Sequence, residues 1–189
     1  MTANNRIKEN PVKYYALVLF VVSLVAACVM SIANMLTRDI IAEEIRKEFL
    51  HGLQAVLPPF DNSPDEENVE LNGYKVYIAK NSGKLVGYGV STTTNKGYGG
   101  AITVLVGADI KATITGVVVL QHAETPGLGD KITLVSWTGQ FVGGALSKKF
   151  AVKADNGDID QFSGATISPR AVCDAVNVAA TILQKVSVK

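Results

Sequence analysis

The stretch Tyr74-Lys75-Val76-Tyr77-Ile78-Ala79, followed at once by Asn81-Ser82-Gly83, decides the architecture. Apolar and polar residues alternate with the period of a half-buried strand, and the Asn-Ser-Gly that follows suits a tight reversal. Lys84 to Val90 then returns as the hairpin partner. Ala101 to Gly107 and Ile114 to Gln121 repeat the arrangement around Asp109-Ile110-Lys111. Lys149 to Ala154 is expected to add a strand ahead of the turn Asp155-Asn156-Gly157-Asp158. Hairpins in succession followed by one terminal helix predict an α+β fold, with a mostly antiparallel sheet and flanking helices, rather than a doubly wound nucleotide fold. No Gly-x-Gly-x-x-Gly opens a βαβ unit, so a dinucleotide such as NAD is not expected to bind this chain.

Toward the N-terminus the pattern changes. No residue between Lys13 and Arg38 is charged, and the apolar run from Tyr14 through Leu36 exceeds the roughly 20 residues that a helix needs to cross the hydrocarbon core. It is also longer than a signal-peptide core of about 7–15 residues and lacks a small-x-small stop, so it is expected to remain as an anchor. Ile40, Ile41, Ile45, Phe49 and Leu53 continue at helical spacing among acids and bases, until Pro58-Pro59 ends the helix. Asp61 to Asn68 reads as an acidic loop. The expected organisation is a cytoplasmic tail (1–13), a transmembrane helix (14–36), a juxtamembrane helix (37–57) and an extracytoplasmic domain (58–189). Arg6, Lys8 and Lys13 oppose Arg38, Arg46 and Lys47 across the span, and the early basic residues favour an inside N-terminus. The 189 residues carry a formal net charge of +1, so no bulk field points to nucleic acid as a partner. Cys28 falls in the span and Cys173 on the last helix. Neither has a second Cys or a His at ligand spacing, so no metal site is expected within the chain and both read as small buried residues, with an iron site shared with neighbouring subunits the alternative for Cys28.

The most distinctive chemistry lies in Asp160-Gln161-Phe162-Ser163-Gly164-Ala165-Thr166. Gly164 and Ala165 remove bulk beside a threonine hydroxyl. Ser168-Pro169 predicts an N-cap followed by proline in the first helical position. Val172, Ala175, Val176, Ala179, Ile182, Leu183 and Val186 recur at helical spacing, so one face of the terminal helix should pack on the core. The positive end of that helix would favour an anion near Thr166. On these residues alone, an ordinary Ser/Gly/Thr-rich turn leading into an amphipathic helix explains the pattern equally well.

Three blocks resemble the FMN-binding domain family. They are Ser163-Gly164-Ala165-Thr166 with Asp160 before it and Ile167-Ser168 after it; His122-Ala123-Glu124-Thr125-Pro126-Gly127-Leu128-Gly129; and Lys96-Gly97-Tyr98-Gly99-Gly100-Ala101-Ile102. The resemblance implies that Thr166 bears FMN through a phosphodiester, transferred from FAD by a separate flavin transferase. It places Glu124, Thr125, Gly127, Leu128 and Gly129 against the flavin; Tyr98, Gly164 and Ala165 are further cofactor-binding candidates, Ser163 and Ser168 either bond the phosphate or cap the turn and helix, and Asp160 serves recognition by the modifying enzyme or anchors the turn. Glu124 is expected either to hydrogen-bond the cofactor or to close its own loop.

With the anchor, the chain resembles the G-subunit branch found in Rnf complexes. Its relative, the C-subunit branch of the sodium-translocating NADH:quinone reductase, shares the motif in usually longer chains. The implied role is a covalent-FMN electron carrier in a bacterial inner-membrane complex, not catalytic alone. Reduced ferredoxin would be the ultimate donor, NAD would be bound by other subunits, and sodium ions or protons would be transported. A scaffold without flavin and a tethered ligand-binding module are the alternatives. Trp137 and Phe141, four apart, are expected in the core, and His122 in a structural hydrogen bond.

Overall fold

The computed structural model describes residues 11–187. Arg6, Lys8 and most of the 1–13 tail lie outside the described residues. The chain divides between Lys47 and Glu48 into two units. In the first, helix α1 (Pro11–Val56) begins. An 18-residue window of it has a mean hydropathy of 2.8 with nothing buried against protein, long and apolar enough to cross a membrane. Leu17, Phe20, Val22 and Val29 all point away from protein atoms. Cys28 does too: it is exposed rather than buried, because a lone helix offers it no neighbour.

The second unit is built on a meander of strands β1 (Asn68–Leu71), β2 (Tyr74–Asn81), β3 (Lys84–Thr94), β4 (Ile102–Asp109) and β5 (Ile114–Gln121). They pair in sequence order and every pair is antiparallel. Ser82-Gly83 closes the expected hairpin with both residues at positive φ, as a two-residue turn matched to strand twist requires. Asn72-Gly73 does the same between β1 and β2. The acidic segment therefore ends in a strand that the residue pattern hid. Asn68 to Glu70 are exposed and only Leu71 packs on the core, so β1 is held chiefly by its ladder to β2.

Lys149 to Ala154 is not a strand. Val152 makes only an isolated bridge to Ile159, and Lys153–Asp155 turns into a short 3-10 segment. Asn156 at φ +59° and the Gly157 N–H bonded to the Val152 carbonyl (3.0 Å) curl the chain back. Phe150 and Val152 are buried as loop anchors, and their alternation mimics a strand.

Helix α2 is the single turn Val135–Thr138, and helix α3 (Ile167–Ser187) is the terminal element. Val172, Val176, Ala179 and Leu183 of α3 pack on the sheet face that carries Val90, Val104 and Val106. The Thr92 hydroxyl donates to the Ala175 carbonyl (3.0 Å) across that interface. The opposite face receives the end of α1, where Leu53, Val56 and Leu57 pack with Ala79 and Leu105. Two strand glycines make this possible. A Cβ on Gly107 would lie 2.1 Å from the Val56 carbonyl oxygen, and one on Gly116 would lie 2.5 Å from Val56 Cα. The same Val56 carbonyl, left without an intrahelical partner by the end of α1, accepts the Thr115 hydroxyl.

Candidate functional site

The heptapeptide is fixed in place from its first residue. Trp137 Nε1 donates to the Asp160 carbonyl (2.7 Å), and the Asp160 N–H donates to Gln140 Oε1 (2.8 Å). The Asp160 carboxylate pairs with Lys153 Nζ at 2.6 Å. Its neighbour Phe162 lies with its ring centroid 5.6 Å from that of Trp137, and Trp137 in turn meets Phe141 edge-on at 5.6 Å. Trp137 and Phe141 are both buried, as their i, i+4 spacing predicts, and the half-buried Phe162 ring packs on Trp137.

The chain then reverses: the Ala165 N–H donates to the Phe162 carbonyl (3.1 Å), and Gly164 sits at φ +80°, where a type II turn requires positive φ. Ser163 and Gly164 are exposed at the tip, and Thr166 is half-buried. The Thr166 carbonyl accepts the Arg170 N–H (3.2 Å), the first bond of α3. Thr166 is thus the N-cap residue. Ser168 lies inside the first turn instead of capping it, and Pro169 follows in that same turn, where a missing N–H breaks no intrahelical bond. Both Thr166 and Ser168 are residues that cap helices, which is why the residue pattern alone puts the start two residues late. Among the described residues the Thr166 hydroxyl has no hydrogen-bond partner.

Opposite this turn runs the segment His122 to Gly129. The Thr125 carbonyl accepts the N–H groups of Leu128 (3.2 Å) and Gly129 (3.1 Å), with Gly127 at φ +76° at the bend. Glu124 is buried and closes the structure on itself: Oε1 accepts the Gly99 N–H at 3.0 Å, and Oε2 accepts the Ser168 hydroxyl. His122 Nδ1 accepts the Glu124 N–H (3.2 Å), the structural role expected of it.

Between the two segments lies a cavity of about 360 Å³. Tyr98, Glu124, Thr125, Leu128 and Gly129 line one side; Gly164, Ala165, Thr166, Ile167 and Ser168 line the other. Residues about 40 positions apart in sequence are thereby brought together. Ser163, Gly127 and Asp160 are not in the lining. Ser163 and Gly127 stand at the tips of their turns, and Asp160 is directed to Lys153. Ile167, part of the matched block but not taken as a cofactor-binding candidate, also lines the cavity and is 46% exposed at the start of α3. Tyr98, Leu128 and Ile167 give the cavity an apolar and aromatic rim suited to a planar ring system. The N–H groups of Ile167 and Ser168, at the positive end of a 21-residue helix, suit an anion.

Other groups do not compete for this role. Arg170 is held away by a bidentate pair with Asp155 (2.6 Å for each bond). A larger groove, about 440 Å³, lies along α3; two of its three lysines, Lys96 and Lys148, are paired with Asp174 and Asp158, and it contains none of the residues of the matched blocks around Glu124 and Thr166. Burial, with Asp174 and Asp155 nearby, pushes the Cys173 thiol up to about 12, so it stays protonated and is no nucleophile. No cluster of three or more metal-ligating side chains occurs among the described residues.

The model of the FMN-binding domain matches residues 97–181, a span that takes in both sides of the cavity. The G subunit of the ion-translocating oxidoreductase complex of Photorhabdus laumondii is 38% identical over 172 residues, 82% of each chain. Its counterpart in Yersinia pestis is 39% identical over 170 residues, 82% of this chain and 81% of that one. The chain belongs to this G-subunit family. It also shares its fold with Shewanella oneidensis NqrC at 25% identity and a TM-score of 0.52, over 72% of this chain and 73% of that one. An FMN-binding domain on a five-stranded antiparallel sheet, preceded by a helix able to cross a membrane, is therefore the organisation of this protein.

Proposed function

We propose that Thr166 carries FMN as a phosphodiester and that the chain is the flavin-bearing member of a membrane-bound, Rnf-type ion-translocating oxidoreductase. The observation that carries the reading is the Thr166 hydroxyl: it stands at the head of α3 on the cavity wall with no partner among the described residues, next to a glycine turn that leaves room for a phosphate. The N–H groups of Ile167 and Ser168 and the dipole of α3 would hold the remaining phosphate charge. Leu128 and Ile167 would cover the ring and exclude water from it, with Tyr98 at the rim. FMN supplies reversible electron acceptance when bound; the chain supplies attachment, burial and position. Asp160, paired with Lys153, and Ser163, exposed at the turn, are available for recognition by a flavin transferase.

In the assembly, electrons pass between reduced ferredoxin and NAD through other subunits, coupled to transport of sodium ions or protons. The helix α1 anchors the chain in the bacterial inner membrane with its N-terminus inside and the FMN domain on the outer side. Identity of 38–39% to the G-subunit relatives against 25% to NqrC favours the Rnf-type complex over the sodium-translocating quinone reductase.

Co-expression with a flavin transferase, followed by a denaturing gel viewed under ultraviolet light, tests the attachment. A fluorescent band that disappears in Thr166→Ala is expected. A dark wild-type band would leave the chain as a scaffold, and a band that survives the substitution would move the flavin elsewhere.

A further inference from the structure

The inner end of the cavity is a closed polar joint. Glu124 is 5% exposed and Ser168 1% exposed, and each carboxylate oxygen of Glu124 takes one protein donor: the Gly99 N–H at Oε1 and the Ser168 hydroxyl at Oε2. Three segments far apart in sequence meet there: the glycine-rich loop at 97–100, the loop at 122–129 and the first turn of α3. Neither donor to Glu124 is a cation: Lys96 pairs with Asp174 and Arg170 with Asp155.

Three glycines around it, Gly97, Gly99 and Gly129, have no room for a side chain. A Cβ on Gly97 would lie 2.6 Å from Glu124 Oε1. One on Gly129 would lie 2.7 Å from Ser168 Oγ and 2.8 Å from Glu124 Oε2, and one on Gly99 would lie 1.8 Å from the Ala123 carbonyl oxygen. A buried carboxylate that loses a donor is left undersolvated, so the three segments have a shared reason to stay together.

We infer that Glu124 and Ser168 form a latch, a positioning pair that holds the two sides of the cavity at a fixed separation. Ser168 is two residues from Thr166 and Glu124 is four residues from Leu128, so the latch sets where the attachment hydroxyl stands relative to the residue that covers the ring. Glu124 then serves the flavin through geometry and not as a ligand to its polar edge. The consequence for the flavin rests on attachment at Thr166; the coupling itself belongs to the chain without flavin.

Two measurements separate these. In the full chain in detergent, Ser168→Ala should speed exchange of the Gly99 amide about tenfold, equivalent to about 1.4 kcal/mol of local opening. Gly99 bonds to Glu124 and not to Ser168, so only a relay through Glu124 transmits the change. Unchanged Gly99 exchange, or an equal rise at the Val104 and Val106 amides of β4, overturns the latch. In flavin-loaded chain, Glu124→Gln and Gly129→Ala leave Thr166 intact and should lower flavin fluorescence anisotropy and raise quenching by iodide. Values equal to those of the wild type in both variants overturn the positioning role. Wild-type chain that takes up no flavin counts against attachment at Thr166, and the exchange measurement then decides the latch alone.

Discussion

Replacing Gly99 with alanine should be among the most damaging single methyl additions in the domain. Gly99 does not adopt positive φ, so backbone preference is no obstacle, and the whole cost comes from space. The new Cβ would fall 1.8 Å from the Ala123 carbonyl oxygen and 2.5 Å from its carbon. Both atoms are main chain and no rotamer change relieves the overlap, so the two loops must part. Parting them stretches the 3.0 Å bond from the Gly99 N–H to Glu124. Forcing a methyl into a filled site costs about 1–3 kcal/mol, and a hydrogen bond to a charged acceptor is worth about 1.5–3 kcal/mol. A loss of about 2.5–6 kcal/mol, at about 4 °C per kcal/mol, lowers Tm by about 10–24 °C. Thermal unfolding of the full chain in detergent, followed by near-ultraviolet circular dichroism, reads this directly. Gly139→Ala is the matched control. Nothing lies within 4 Å of its Cβ and its backbone is helical, so it should melt within about 0.5 kcal/mol of wild type. Gly99→Ala melting with the control would refute the argument that these two loops touch.

Two further outcomes follow from the motif's supports. Trp137→Phe keeps the ring contacts with Phe141 and Phe162 but removes the donor to the Asp160 carbonyl, and should cost about 1–2 kcal/mol in urea unfolding; no loss would mean that the indole N–H does not hold the heptapeptide. The Arg170 guanidinium beside Asp155 holds its carboxyl below the ordinary value of 3.8, so the pair adds stability above that pH and loses it as pH falls through the lower folded value. The gap in stability between wild type and Asp155→Asn should therefore be widest near neutrality and narrow below about pH 4; a gap that grows toward acid would contradict the sign.

Much of this organisation was legible because it rests on local periodicity. Alternation at Tyr74–Ala79, the Ser82-Gly83 turn and the helical spacing of Val172, Val176 and Leu183 each fix an element without long-range help. What failed depended on partners. β1 is only four residues long, with Val69 exposed and Leu71 alone against the core, too short a pattern to read until β2 offers it a ladder. Phe150 and Val152 alternate, yet they anchor a loop. The glycines of β4 and β5 read as neutral strand residues until the end of α1 is laid against them. At the cavity, the blocks around Thr166 and Glu124 announced themselves by composition, but the bond from Ser168 to Glu124 joins positions 44 apart and has no local signature. The start of α3 went astray because two capping residues stand within three positions and only the Thr166 carbonyl bond chooses between them.

The central claim concerns one hydroxyl, and peptide mapping by mass spectrometry tests it most directly. Chain produced with its flavin transferase should yield a proteolytic fragment spanning Phe162 to Arg170 that carries the mass of FMN less water, with fragmentation placing the addition on Thr166. The same fragment recovered unmodified from a chain that is active in electron transfer would contradict the account.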